Sequence, residues 1–497
     1  MATAPSARVP RSDASLAADL VAGAEELLGN RGVIKEPEQL RTYECDGLTG
    51  HRVRPTVVAL PETTKQVSEC VALCNRLDVP FVARGAGTGL SGGSVPVADG
   101  MVISLARMNR ILEIDLASAR AVVQPGVANL DISKAVRADG FLYAPDPSSQ
   151  QVCTIGGNVA ENSGGAHCLK HGFTVNHVTG LELVLPDATV VRLGGKSAEQ
   201  PGYDLLGAFI GSEGTLGIAT AVTVRLIKAP ARVETLLVAF DSVAAAGAAV
   251  SGVVAAGILA GAMEIMDRLT IQAAEEAVSA GYPDAQAILI VELDGTDEQV
   301  SDDSVEVQRL CRDAGATTIG VATTDDDRAR FWKGRKAAFA AVGRISPDYY
   351  VQDGVVPRTR LPEVLERIEA LSNQYGLQVG NVFHAGDGNL HPLVLYDARR
   401  PGESARAEEL AREILVACVE AGGSLTGEHG IGTDKACAMP LMFGEVDLAT
   451  MQRLRTAFDP RGLANPGKIF PTPRLCGEVP GPYREHPLER AGLGERF

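Results

Sequence analysis

The nine cysteines include no Cys-x-x-Cys pair, which excludes a zinc ribbon and an iron–sulfur run within this chain. There is no long basic run, and the formal charge is −16. Nucleic acid is therefore excluded as a partner, and any anionic ligand must be met by locally placed cations. No repeat of fixed period is visible. Residues 1–15 are rich in Ala, Ser, Pro and Arg and lack an apolar h-region, which predicts a disordered tail, not a signal peptide, and a cytoplasmic protein. The odd cysteine count fits a reducing compartment. One uncharged stretch, Ser242 to Met263, is long enough to span a bilayer. Because Ala and Gly dominate it and Gly257 breaks it, we expect a buried helix capped by Asp241 or Ser242, and no transmembrane segment.

What is present points to a soluble globular protein: 45% hydrophobic and 22% charged residues. At 497 residues, two or three domains sharing one site are expected. The most unusual stretch is Arg84-Gly85-Ala86-Gly87-Thr88-Gly89-Leu90-Ser91-Gly92-Gly93-Ser94, with five glycines between 85 and 93. Glycine reaches positive φ without strain and has no Cβ, so successive N–H groups can turn inward as a nest for a diphosphate. The loop follows a strand at Val79–Ala83 but leads to another strand, Met101–Leu105, where a Rossmann unit would place a helix. It carries no Gly-Lys-Ser/Thr, so it is not a P-loop. A flexible surface loop is the alternative.

In chain order, apolar residues from Leu16 to Leu28 recur at helical spacing. Thr56–Leu60 reads as a strand, and Thr63 with Gln66 as a capping box for a helix burying Val67, Val71, Cys74 and Leu77. Strands are expected at Ile111–Ile114 and Ala121–Gln124, then a helix from Leu130 to Ala138. Two dense blocks of special backbone follow: Pro145-Asp146-Pro147-Ser148-Ser149, and Gly156-Gly157-Asn158 through Asn162 to Gly164-Gly165. Val178–Leu185 and Thr189–Leu193 form a hairpin, and Gly211-Ser212-Glu213-Gly214-Thr215-Leu216-Gly217-Ile218 leads into strand Ala219–Leu226. From Ala231 strands alternate with helices, as in an α+β cap.

These glycine-rich blocks, in this order, resemble the FAD domain of the vanillyl-alcohol oxidase flavoprotein family. The resemblance implies that Arg84 to Gly92 hold the pyrophosphate of FAD, and that Pro145, Asp146, Ser149, Gly156, Gly157, Asn158, Asn162, Gly164, Gly165, Glu213, Gly217, Ile218 and Asn465 complete the cofactor site. Many members tether FAD to a histidine in or beside the loop. Here position 88 is Thr and the loop has no histidine, so non-covalent FAD is expected.

The second half carries His384-Ala385-Gly386-Asp387-Gly388-Asn389-Leu390-His391 and Gly427-Glu428-His429-Gly430. The first reads as two strands joined by an Asp-Gly turn with a histidine at each end. His384, His391 and Glu428 make a facial set for a divalent ion, a reading we prefer to structural imidazoles. With Phe331-Trp332-Lys333-Gly334-Arg335-Lys336 and Asn465-Pro466-Gly467-Lys468, these motifs resemble the D-2-hydroxy-acid dehydrogenase branch of the same family, and the likeness covers roughly Arg41 to Phe470. It implies Zn or Mn at His384, His391 and Glu428, His429 as the base, and Arg335 on the substrate carboxylate.

The fold implied is α+β: a two-lobed FAD-binding domain of the vanillyl-alcohol oxidase type, an antiparallel-sheet cap and a C-terminal helical segment returning to the FAD domain. The boundaries expected are a tail at 1–15, a helical segment at 16–51, the FAD-binding domain at 52–230, the substrate cap at 231–425, an active-site segment at 426–472 and a tail at 473–497. The reaction implied is oxidation of a small D-2-hydroxy acid, glycolate or D-lactate, to the 2-oxo acid. Pro392-Leu393 after His391, and Tyr349-Tyr350-Val351-Gln352 before the Asp353 turn, depart from 2-hydroxyglutarate dehydrogenases, which remain the alternative. His171 stands where relatives often have tyrosine. A non-redox transferase of the same fold and a structural flavin- or metal-binding subunit are the readings from other classes. The members whose length and tail this chain shares imply two partners, a second flavin-fold subunit and an iron–sulfur electron-transfer subunit. Contact with the inner face of the membrane through such partners, and a homodimer, are left open.

Overall fold

The computed structural model describes residues 13–197 and 201–472. Its first sheet has the spatial order Val33–Ile34, Val57–Ala59, Met101–Ser104, Phe81–Arg84, and the last three strands are parallel. Helix Asp13–Leu28 begins three residues inside the span expected to be tail, because Leu20 and Ala24 are buried against Leu73 and Val67 of helix Thr64–Leu77. Cys70 and Cys74 belong to this core. The Thr63 side chain accepts the Gln66 N–H at 3.2 Å, while Gln66 turns back to the Glu62 N–H, one residue before the cap. The glycine loop does join strand to strand, from Phe81–Arg84 to its parallel neighbour.

A second, five-stranded antiparallel sheet runs Ile111–Asp115, Arg120–Val123, Ile218–Arg225, Val178–Val184, Val190–Gly194. Helices Asn129–Val136 and Ile155–Glu161 pack Ile132, Val136, Ile155 and Val159 on it. The expected hairpin around Pro186-Asp187 is its outer edge.

The third sheet has seven antiparallel strands in the order Ala316–Val321, Arg232–Phe240, Ala287–Gly295, Ala262–Asp267, Val379–His384, Pro392–Tyr396, Asp348–Val351. Helices cover both faces, which explains its continuous apolar runs. Along Arg232–Phe240, Leu236, Val238 and Phe240 join one core with Val250, Ile368 and Ile414 from helices Val243–Ala255, Leu361–Tyr375 and Glu403–Glu420. The alternate residues Leu237 and Ala239 join Ile271, Phe331 and Ala338 on the other face. The stretch read as one buried helix is divided. Ser242 caps the helix by accepting the Ala245 N–H at 3.1 Å, Gly257 breaks it at φ 79°, and Ala262 and Met263 open a central strand. The apolar composition was right for burial but could not tell helix from strand.

The chain then returns to the first sheet. Phe81 pairs with Ala464, Asn465 Nδ2 donates to the carbonyls of Gly93 and Glu213 at 2.8 and 2.6 Å, and Lys468 Nζ donates to Val95 O at 2.9 Å. His167 ties the second sheet's loops to the third sheet by bridging Asp146 (2.7 Å) and Glu292 (3.0 Å). Among the described residues no helix is long and apolar enough to cross a membrane.

Candidate active site

A cleft of about 410 Å³ runs from the glycine loop to the histidine motifs. Its floor is Arg84 to Leu90 with Gly93 and Ser94; Ser149, Gly156, Gly157 and Asn158 form one wall, and Glu213, Gly217 and Ile218 another. The cradle needs glycine. A Cβ at Gly85 would lie 2.5 Å from Thr154 Oγ1, and Gly87, at φ 73°, would set one 2.2 Å from Arg84 Nη2. A glycine loop lining a cleft of this size fits a dinucleotide.

Several expected cofactor residues lie behind the cleft and shape it. The Ser91 carbonyl accepts the N–H groups of Thr433 and Asp434, and Gly92, at φ 79°, lets Thr433 approach. Pro145 is buried, and Asp146 faces a smaller cavity. Asn162, at φ 54°, ends helix Ile155–Glu161 and accepts the Val175 N–H. Gly164 and Gly165 leave room for Glu428 and Asp146, and Asn465 braces Gly93 from beneath. The sequence reading missed Glu161, Phe339, Tyr349 and Lys336, which line the cleft. Ser148 and Thr154, which stand in or beside the Pro145 and Gly156 blocks, line it as well.

At the far end, His384 closes strand Val379–His384, and His391 immediately precedes the antiparallel strand Pro392–Tyr396. Gly388, at φ 82°, turns the chain between them. The Nε2 atoms of both histidines lie 3.3 Å from Glu428 Oε1, and neither makes a hydrogen bond. Buried imidazole nitrogens that converge on a carboxylate are a donor set that could hold a metal ion. The electrostatics agree. Glu264 and Glu428 raise the His384 pKa well above the usual range against its burial, and the carboxyl of Glu428 is held far down by the two histidines. The site draws positive charge, as protons or as a cation.

Two carboxylates unforeseen from the sequence hold this set. Glu264, on strand Ala262–Asp267, accepts from His384 Nδ1 at 2.6 Å and from Arg335 Nε at 2.7 Å. Asp353 accepts the N–H of Gly427 (3.1 Å), Glu428 (3.2 Å) and His429 (2.9 Å) and approaches His391 Nε2 at 3.5 Å. Asp353, His391 and His429 also converge as potential ligands. That alternative is weaker, because the Asp353 oxygens are engaged by the loop and by Lys435 Nζ at 3.3 Å.

His429 lines the cleft, stacked on His391 with ring centroids 5.0 Å apart. Burial lowers its pKa to about 4, so its imidazole is neutral. Arg335 is not among the cleft residues. It lines the adjoining cavity of about 110 Å³ with His384, its Nε on Glu264 and its Nη2 without a partner.

Residues 55–194 match the "FAD binding domain" model, and 229–469 match "FAD linked oxidases, C-terminal domain". The chain is 52% identical to glycolate oxidase subunit GlcD of Escherichia coli over 455 residues, 91% of either chain. It is 39% identical to the Bacillus subtilis protein of the same name, over 86% of this chain and 92% of that one. Among solved structures, 4-ethylphenol oxidase from Gulosibacter chungangensis superposes with a TM-score of 0.77 at 22% identity, covering 94% of this chain and 99% of that one. With a cradle that requires glycine, matches over both halves and relatives this similar, the chain belongs to the FAD-linked oxidase family with the vanillyl-alcohol oxidase-type fold.

Proposed function

We propose that this chain oxidises a small D-2-hydroxy acid, glycolate or D-lactate, to the 2-oxo acid. The observation that carries the reading is the single cleft joining the glycine cradle to His391, Glu428 and His429. The relatives named glycolate oxidase subunit and D-lactate dehydrogenase support the substrate class.

FAD, held non-covalently by Arg84 to Leu90 and by residues 156–158 in the first turn of helix Ile155–Glu161, would supply the acceptor for the hydride leaving C2. His384, His391 and Glu428 would hold a divalent ion, Zn or Mn, which supplies a Lewis acid for the C2 hydroxyl. His429, neutral and beside Glu428, takes the hydroxyl proton. Arg335 offers Nη2 to the carboxylate and so selects which face of C2 meets the flavin. With no Rossmann unit or iron–sulfur ligands of its own, the chain passes electrons to partners, a second flavin-fold subunit and an iron–sulfur subunit, in the cytoplasm.

Anaerobic addition of glycolate should bleach the flavin. A flavin that stays oxidised with both glycolate and D-lactate would exclude the reading in favour of a non-redox transferase or a structural subunit. Acid precipitation should leave a colourless pellet and a yellow supernatant; a yellow pellet would show a covalent flavin.

A further inference from the structure

The large cleft and the small cavity behind the histidines share two lining residues, Ser148 and Lys336. A 2-hydroxy acid with its hydroxyl at His429 and its carboxylate towards Arg335 must straddle that boundary, since His429 lines only the cleft and Arg335 only the cavity. The other cations around the cavity are already paired. Arg335 is on Glu264 at 2.7 Å, Arg328 on Glu292 at 3.1 Å, and His167 between Asp146 and Glu292. Lys336 differs: it is exposed, no ion pair is formed by it among the described residues, and its ammonium stands 5.9 Å from the centre of the Trp332 ring. Arg335 and Glu264 together are neutral, so they give an arriving carboxylate directed hydrogen bonds but little net attraction. In a chain of formal charge −16 that attraction at the carboxylate end calls for a local cation there, beside the divalent ion proposed for the hydroxyl end.

We propose that Lys336 is a substrate-binding residue that draws in the carboxylate at the boundary between the two cavities and holds it there together with Arg335. The inference rests on the functional reading above and adds to it a residue that supplies net charge at the carboxylate end. The rival role for Lys336 is packing its aliphatic stem on Trp332, and Lys336→Met keeps that stem while removing the ammonium.

The test uses the full FAD-loaded chain, with oxalate as a non-reacting dianion measured by titration calorimetry and glycolate as the reductant in anaerobic stopped flow. Lys336→Met should weaken oxalate binding and raise the glycolate concentration for half-maximal flavin reduction, each by about fivefold, the upper end for an exposed charge pair. Its oxalate affinity should depend less steeply on salt than the parent's. Lys336→Arg should restore both to within about 1.5-fold of the parent. Oxalate affinity unchanged in Lys336→Met, or equally poor in the Met and Arg variants, overturns the proposal. If Lys336→Met is not obtained folded, Lys336→Gln and the salt dependence of oxalate binding to the parent decide it, and a parent affinity indifferent to salt counts against it. Failure of the parent flavin to be reduced by glycolate would instead sink the functional reading, while the calorimetric comparison still reports on Lys336.

Discussion

Asp353 accepts the backbone N–H of His429 at 2.9 Å, and with the same two oxygens it takes the N–H groups of Gly427 and Glu428 and the hydroxyl of Thr426. It is wholly buried, and desolvation is offset by Lys435 and His391, so its pKa lies well below the usual range. One carboxylate thus sets the path of the segment that carries both Glu428 and His429. Asp353→Ala would strand several buried donors and the Lys435 ammonium. We expect a loss of about 3–5 kcal/mol, the usual cost of breaking a buried charged network, read as a lower urea midpoint at unchanged slope. A midpoint within error of the parent would remove Asp353 from this role.

The divalent ion is tested directly by composition. Elemental analysis should find one ion per parent chain and none in the His384→Ala/His391→Ala variant. Equal metal content in the two would refute the assignment of His384, His391 and Glu428.

Glu264 orients His384 through Nδ1 and holds Arg335 with its other oxygen. Glu264→Gln keeps the shape but weakens the imidazole as a ligand, so metal affinity should fall by about 10–100-fold, as for other such partners. Competition with a chelator measures this without turnover. Unaltered affinity would mean that Glu264 serves only Arg335.

His429→Asn removes a proton acceptor while keeping size and hydrogen-bonding capacity. Flavin reduction by glycolate should slow by roughly 10²–10⁴, the range for a positioned base, with FAD and metal content retained. Reduction at the parent rate would leave His429 a structural part of the turn.

Buried Glu213 and half-buried Glu161 beside it predict a pH effect on stability. Burial raises the Glu213 pKa to about 7 despite the N–H groups of Ile431 and Gly432, and burial with the charge of Glu213 raises that of Glu161. An unfolded glutamate titrates near ~4.3. Between those values the folded chain binds protons that the unfolded chain has lost, so stability is greater at low pH and declines as pH rises towards 7. The urea midpoint of Glu213→Gln should gain on that of the parent as pH rises from about 5 to 7. Identical slopes would show that this carboxyl is not the source.

Much of the site was legible because its residues are local in sequence. The glycine loop announces itself by composition, and the two histidines frame an Asp-Gly turn whose strands the pairing of Val379 with Val394 confirms. The supporting carboxylates were not legible. Glu264 stands in the run Ala262-Met263-Glu264-Ile265-Met266, whose length and uncharged approach favoured a helix ending nearby. A lone glutamate amid apolar residues was the signal available, and only the pairing of Glu264 with His384 across two strands gives it meaning. Arg335 was found by motif, yet its place behind His384 depends on that same pairing and so could not be read from the chain.

The brace from Asn465 to Gly93 joins residues 372 apart in sequence. Closing so long a loop costs little more than closing one half as long, since the entropy grows only with the logarithm of length. The delay is in time. At about 5–20 residues per second on the ribosome, the glycine loop emerges tens of seconds before the segment that props it and before the Glu428–His429 turn. The nascent chain therefore carries a half-built cradle through most of its synthesis. An early stop anywhere before Asn465 would remove the brace of the glycine cradle along with the final docking segment, so nonsense products should be recovered colourless even when they retain every residue of the floor.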